Sequence, residues 1–162
     1  MLRVDRIDLR ILKTLERRGR ITKTALADEV GLSATPVWQR LKRLEKSGLI
    51  DGYRAEINLS KLAPHVTVFV AAELADHTAA RFRRFEEAVQ SYDEITACWA
   101  LGGGFDYLLQ VVTRDIGAYQ QLIDNMLEAR IGLARYYSYI VTKPVKGGAG
   151  LPLDRLLPGD RA

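Results

Sequence analysis

Cysteine is all but missing from this chain. Cys98 is the single one in 162 residues, so an intramolecular disulfide framework is excluded. It falls in an apolar, strand-like stretch, which marks a core residue rather than a nucleophile or redox sensor. Histidine is nearly as scarce. His65 and His77 have no neighbouring ligand pattern, so no metal site is expected. No nucleophile elbow, P-loop or dinucleotide fingerprint occurs, and the Gly102-Gly103-Gly104 run does not continue into G-x-x-G. No catalytic residue and no cofactor are therefore expected. The N-terminus lacks the apolar run of a signal peptide, and no stretch approaches the roughly 18 apolar residues of a membrane span. The expected setting is a reducing cytoplasm, with no membrane partner.

What the chain does have is an uneven spread of positive charge. The net charge is +4 and the pI about 9.3. Residues 1–52 hold 12 Lys and Arg against 7 Asp and Glu, while the remainder hold 12 against 13. Within the basic third, Thr22 to Gly48 read TKTALADEVGLSATPVWQRLKRLEKSG: two short helical patterns with a Gly-Leu-Ser break between them. Thr22 is a natural N-cap, and Leu26, Ala27 and Val30 form the apolar stripe of a two-turn helix. Gly31 can take the left-handed conformation that ends it. Ser33 then caps a second helix. At about 100° per residue, Val37, Leu41 and Leu44 gather on one side of that helix. Thr35, Gln39, Lys42, Arg43 and Lys46 fall opposite, with Trp38 and Arg40 on the flanks.

Two readings of this face compete. A charged helical face is commonly just solvated surface. A helix-turn-helix instead needs a bracing helix and a second helix that enters the major groove. The near absence of Glu from the face, and small or amide-bearing groups near its N-terminus, favour the second reading. On it the candidate DNA-contacting residues are Ser33, Thr35, Pro36, Trp38, Gln39, Arg40, Lys42 and Arg43. Lys42 and Arg43 suit phosphates, whereas Thr35, Gln39 and Trp38 suit base edges. On this reading the expected partner is double-stranded DNA.

The rest reads as an α+β body. Val4–Arg18 is helical with Asp5 as its cap, which completes a three-helical, winged-helix-like head over residues 1–52. Leu49 and Ile50 are expected to tuck back into its core. A linker over 53–64 carries a short strand at Arg54–Leu59. Residues 65–146 follow the order β-α-β-β-α-β, a ferredoxin-like domain. In that fold both helices cover one face of an antiparallel sheet. The bare face would then carry Phe69, Trp99, Tyr137 and Tyr139, too apolar for a monomer, so homodimerisation is expected. Ile95, Ala97, Trp99 and Leu101 are expected to share one side of their strand. The Gly/Pro-rich tail, 147–162, is expected to be extended or disordered.

On LRVDRIDLRILKTLERRGRITKTALADEVGLSATPVWQRLKRLEKSGLIDGY, LGGGFDYLLQVVTRD and YSYIVTKPVK, the chain resembles the Lrp/AsnC family of transcription regulators over about residues 2–146. The resemblance implies dimers that assemble into higher even-numbered oligomers, often octamers. It also implies a small effector, usually an amino acid, bound between dimers. The loop Gly102-Gly103-Gly104-Phe105-Asp106-Tyr107 would form part of that pocket. Ser138 occupies a position where the family commonly has a pocket-lining Thr or Ser. Glycine amides can approach a carboxylate closely, and Asp106 can attract an ammonium. The alternative is a wide turn with Asp106 as its cap. Ala34 and Trp38 depart from the Pro and smaller residues often seen there, and the loop is more glycine-rich than the usual Gly-Asp-Tyr. The function expected is a DNA-binding regulator answering to an amino acid; an architectural DNA-binding protein without an effector is the alternative.

Overall fold

Apolar side chains spaced three and four apart would have nowhere to go on an isolated helix, and in the head those of three helices meet in one cluster. The computed structural model describes residues 2–147 and 150–156. Helix α1 (Arg6–Arg17) begins with a reciprocal capping box. Asp5 Oδ1 accepts the amides of Ile7 and Asp8, and Asp8 Oδ2 accepts the amide of Asp5. Helix α2 (Lys23–Val30) starts at Thr22, whose Oγ1 accepts the Ala25 amide. It ends at Gly31, held at φ +69°, where a Cβ would be strained. Helix α3 (Ala34–Lys46) follows after two residues. Ile11, Leu26, Ala27, Val30, Val37, Leu41 and Leu44 close into one buried cluster, with Ile50 packed against it. Leu49 does not join them. It remains 48% exposed, because the chain turns away at Gly48.

The chain divides into two units: residues up to Ile57 together with those from Lys146, and Asn58–Val145. The linker strand expected at Arg54–Leu59 is not formed. Residues 51–58 carry no regular structure, and a four-residue helix, α4 (Leu59–Leu62), starts where Asn58 caps it. A strand needs a neighbouring strand to take its hydrogen bonds, and among the described residues the segment has none. The described part of the tail also differs from expectation. Leu153–Leu156 form a single helical turn, α7. Asp154 pairs with Lys13 of α1, and the Leu151 amide donates to Glu16. Leu151 and Leu153 thereby line a groove of about 830 Å³ with Leu12, Leu15 and Leu49.

In the second unit, strand β1 (Val66–Leu74) lies between β3 (Tyr107–Thr113) and β4 (Leu133–Ile140), and β2 (Ile95–Ala100) pairs with β3. The order β2-β3-β1-β4 is antiparallel throughout, which is the ferredoxin-like arrangement. Helix α5 (Ala79–Val89) contributes Phe85 and Val89 to the core. Helix α6 (Ile116–Glu128), capped by Asp115, contributes Tyr119, Leu122, Ile123 and Met126. Both pack on the face of Val68, Val70, Leu109 and Val111. Cys98 packs half-buried against that core, and burial pushes its thiol pKa up.

The expected alignment of Ile95 with Ala97, Trp99 and Leu101 fails at its first member. The β2–β3 register slips between Ile95 and Ala97, so Ile95 pairs with Val111 on the core side while Trp99 pairs with Leu108 on the other. One extra residue reverses every later side chain. The face away from the helices carries Phe69 opposite Tyr139 and Ala71 opposite Tyr137. Trp99, Tyr137 and Tyr139 are 46%, 44% and 55% exposed.

Candidate nucleic-acid interface and ligand site

Helix α3 is seated by carboxylates as well as by its apolar stripe. Asp8 is fully buried, and Arg40 Nη1 donates to its Oδ1 at 2.8 Å while Arg43 Nη2 donates to its Oδ2 at 2.5 Å. Arg40 also reaches Asp5 Oδ2 at 2.6 Å. These bonds push the Arg40 pKa further up. Burial works to raise the Asp5 pKa, but the Asp8 amide and Arg40 outweigh it and hold the carboxyl below its usual range. Arg40 and Arg43, expected among the DNA-contacting groups, are thus committed to the start of α1. The cause is spacing. Asp5 and Asp8, and likewise Arg40 and Arg43, lie three residues apart, so each pair shares one helix face.

What remains open on α3 is Ala34, Thr35, Pro36, Gln39, Lys42 and Lys46, all exposed. Ser33 holds the N-cap backbone geometry, but its hydroxyl makes no cap hydrogen bond. Trp38 is half-buried against the head core. The Lys23 ammonium sits 3.3 Å from its ring centroid and that of Lys42 5.0 Å. Lys23 was not singled out by the sequence pattern because it belongs to the other helix. Below α3, the Tyr53 hydroxyl donates to Glu45 at 2.9 Å; burial and that bond push its pKa up to about 12.

In the second unit the glycine loop joins β2 to β3 and is exposed at Gly102, Gly103 and Gly104. A Cβ added at any of the three would meet nothing within 4 Å, and none has a left-handed φ. Phe105 stands edge-on to Tyr137, 5.5 Å between centroids, which ties the loop to the bare face of the sheet. Asp106 is engaged within the chain. Its Oδ2 accepts the Leu74 amide at 2.8 Å and lies 3.1 Å from His77 Nε2. Tyr107 is turned into the core, 3% exposed, and donates to Glu86 at 2.8 Å; burial and Glu86 raise its pKa. Ser138 pairs with Val70 on the helix-covered side and is hydrogen-bonded to the Tyr119 hydroxyl. Within one chain, then, Ser138 and the Phe105–Tyr137 contact lie on opposite faces of the sheet.

A helix-turn-helix with an open polar face, carried by a ferredoxin-like unit, is the build of a two-part transcriptional regulator. Residues 4–51 match the winged helix-turn-helix DNA-binding family, and residues 67–151 match the Lrp/AsnC ligand binding domain. The chain belongs to the Lrp/AsnC family and is a DNA-binding transcriptional regulator with a ligand-binding domain. It is 46% identical over 156 residues to the transcriptional regulatory protein DoeX of Halomonas elongata, covering 96% of this chain and 99% of that one. It is 39% identical over 143 residues to the leucine-responsive regulatory protein of Escherichia coli K12, covering 88% and 87%. Among solved structures, a transcriptional regulator of Neisseria meningitidis in complex with L-Met superposes with a TM-score of 0.89. That match is 30% identical and covers 96% of this chain and all of the other.

Proposed function

We propose that this regulator reads DNA with the open face of α3, pairs through the bare face of its sheet, and answers to an amino acid at the glycine loop. The observation that carries the DNA assignment is the Asp8 clamp. It fixes α3 on the head while leaving Thr35, Pro36, Gln39 and Lys42 free, with the Ser33 hydroxyl at the helix start. Thr35 and Gln39 take the base edges and Lys42 a phosphate. Arg40 and Arg43 act by holding the helix. Gln39→Ala tests the base assignment. A loss of about 1–3 kcal/mol on a duplex selected by the wild-type protein, with little loss on random duplex, is expected. Equal losses on both refute it.

Three exposed aromatic side chains on one sheet face support a homodimer, since apolar surface of that kind is covered in a stable assembly. Higher even-numbered oligomers, up to an octamer, would bring further chains to the loop. Two features support an effector there. The three glycines are exposed, with open space where a Cβ would stand, and two similar proteins are a leucine-responsive protein and an L-Met complex. In this reading the loop amides of Gly102–Gly104 hold the carboxylate, Phe105 and Asp106 wall the site, and a neighbouring chain brings its own Ser138. Tyr107 supports the loop from the core side. One observation favours the effector-independent alternative: the Asp106 carboxylate is already taken by Leu74 and His77. A thermal-shift screen of the twenty amino acids decides, because a ligand that binds only the folded form raises the melting temperature. No shift with any of them at millimolar concentration would leave the architectural reading.

A further inference from the structure

Four of the twelve Lys and Arg in residues 1–52 have an anionic partner among the described residues: Lys13 has Asp154, Arg18 has Glu29, and Arg40 and Arg43 have Asp5 and Asp8. Lys23 and Lys42 are among the eight that do not, and they alone of these lie over an aromatic ring among the described residues. Neither meets a carboxylate among the described residues, and both are exposed. They come from different helices, yet their ammonium groups converge on one indole, 3.3 Å and 5.0 Å from its centroid. An aromatic face attracts each cation. It does not cancel the repulsion between two of them. Such a pair is most stable with an anion between or beside the two charges, and a phosphate oxygen is the anion that DNA supplies at the rim of the major groove.

We propose that Lys23, Trp38 and Lys42 form a two-pronged phosphate clamp on the DNA backbone, with Trp38 as the positioning residue that holds the two ammonium groups in place. The inference rests on α3 being the DNA-reading helix. It adds Lys23 to the contact surface and reassigns Trp38, whose ring is occupied by the lysines and by the head core. Trp38 therefore sets how strongly the protein grips any duplex, and not which base it prefers.

The test uses the full-length chain and two probes: a duplex selected from a randomised pool by the wild-type protein, and a random duplex of equal length. Lys23→Gln should lower the slope of log affinity against log salt by about 0.9 on both probes, one phosphate contact fewer. A fourfold rise in salt then costs the variant about three- to fourfold less affinity than it costs the wild type. Trp38→Leu should reduce the slope similarly, Trp38→Tyr should restore it, and Lys23→Gln should add little in the Trp38→Leu background. Preference among single-base variants of the selected duplex should be unchanged in all. Lys23 is exposed, so Lys23→Gln keeps the test valid if Trp38→Leu melts the head. An unchanged slope for Lys23→Gln overturns the clamp. A changed preference at one base pair for Trp38→Leu overturns the reassignment and makes the indole a base reader. Absence of salt-dependent binding by the wild type to either probe would instead remove the DNA-reading assignment of α3, and the clamp with it.

Discussion

Arg43→Ala separates two roles for a basic residue on a recognition helix. A phosphate contact and a structural clamp look alike in sequence and predict opposite experiments. In the structure the Arg43 guanidinium donates to Asp8 Oδ2 at 2.5 Å, and the Asp8 side chain is fully buried. Losing one charge-assisted hydrogen bond to a buried carboxylate costs about 1.5–3 kcal/mol. Arg40 stays on Oδ1, so the charge is not orphaned and the loss stays below the roughly 3–5 kcal/mol of a broken buried pair. The Arg43 side chain is also 45% exposed, which screens part of the interaction. The net expectation is about 2 kcal/mol, or a head melting temperature lower by about 10 °C, given roughly 4–8 °C per kcal/mol in a domain of this size. Far-UV circular dichroism on the full-length chain reads this. The salt slope of DNA binding, measured well below the melting transition, should fall by less than half of the 0.9 per phosphate that a free cation contributes. The opposite variant sharpens the test. Asp8→Asn should lower the melting temperature while releasing two arginines toward the DNA, so binding to random duplex should tighten and its slope steepen. An unchanged melting temperature for Arg43→Ala together with a slope loss near 0.9 refutes the clamp.

Asp5 gives a pH signature. Its folded pKa lies below the ordinary value of 3.8, so its stabilisation of the head is complete above that value and is lost as pH falls through the lower folded one. Acid titration followed by circular dichroism should show a flat head stability from pH 7 to about 5 and a fall below about 4, which Asp5→Asn blunts. At the glycine loop, Asp106→Ala should cost about 1–3 kcal/mol by stranding the Leu74 amide, while Asp106→Asn keeps an acceptor there and isolates the charge. Calorimetry with a confirmed effector should show at least tenfold weaker binding for Asp106→Asn; unchanged affinity makes the residue a cap only. Residues 58–145, expressed alone, should be at least dimeric by light scattering at micromolar concentration, and a clean monomer would leave Trp99, Tyr137 and Tyr139 unexplained. Ending the chain at Lys146 should lower head stability by about 1 kcal/mol, because the Leu12–Leu15–Leu49 groove loses Leu151 and Leu153.

Wherever one period dominated, the pattern of residues was enough. The stripes Leu26–Ala27–Val30 and Val37–Leu41–Leu44, the caps at Asp5 and Thr22, and the order β-α-β-β-α-β all recur as observed elements. What escaped has a common physical origin: pairing at long range. The slip between Ile95 and Ala97 depends on how β2 meets β3 and leaves no local mark. The strand written into Arg54–Leu59 has suitable residues but no neighbour among the described residues to pair with. The tail's Leu151 and Leu153 look like a spacer until α1 offers Lys13, Glu16 and two leucines beneath them.

The candidate sites divide along the same line, and the division bears on how charge is used. The sequence pattern put Arg40, Lys42 and Arg43 alike at the DNA surface, because it cannot tell a paired guanidinium from an unpaired ammonium. The structure sorts them by partner. Arg40 and Arg43 face carboxylates three residues apart on α1, whereas Lys42 and Lys23 face only an indole. The chemistry suits each role. A guanidinium offers several fixed donors and is less strongly hydrated, so it can bridge two partly buried carboxylates. An ammonium is compact and mobile, and suits a solvated phosphate. On the proposed reading the arginines set the angle at which α3 is held, the lysines the strength with which any duplex is gripped, and Thr35 and Gln39 are left to discriminate between bases. Changing one group should move melting temperature, salt slope or base preference separately, and a variant that moves all three together would mean that α3 itself has come loose.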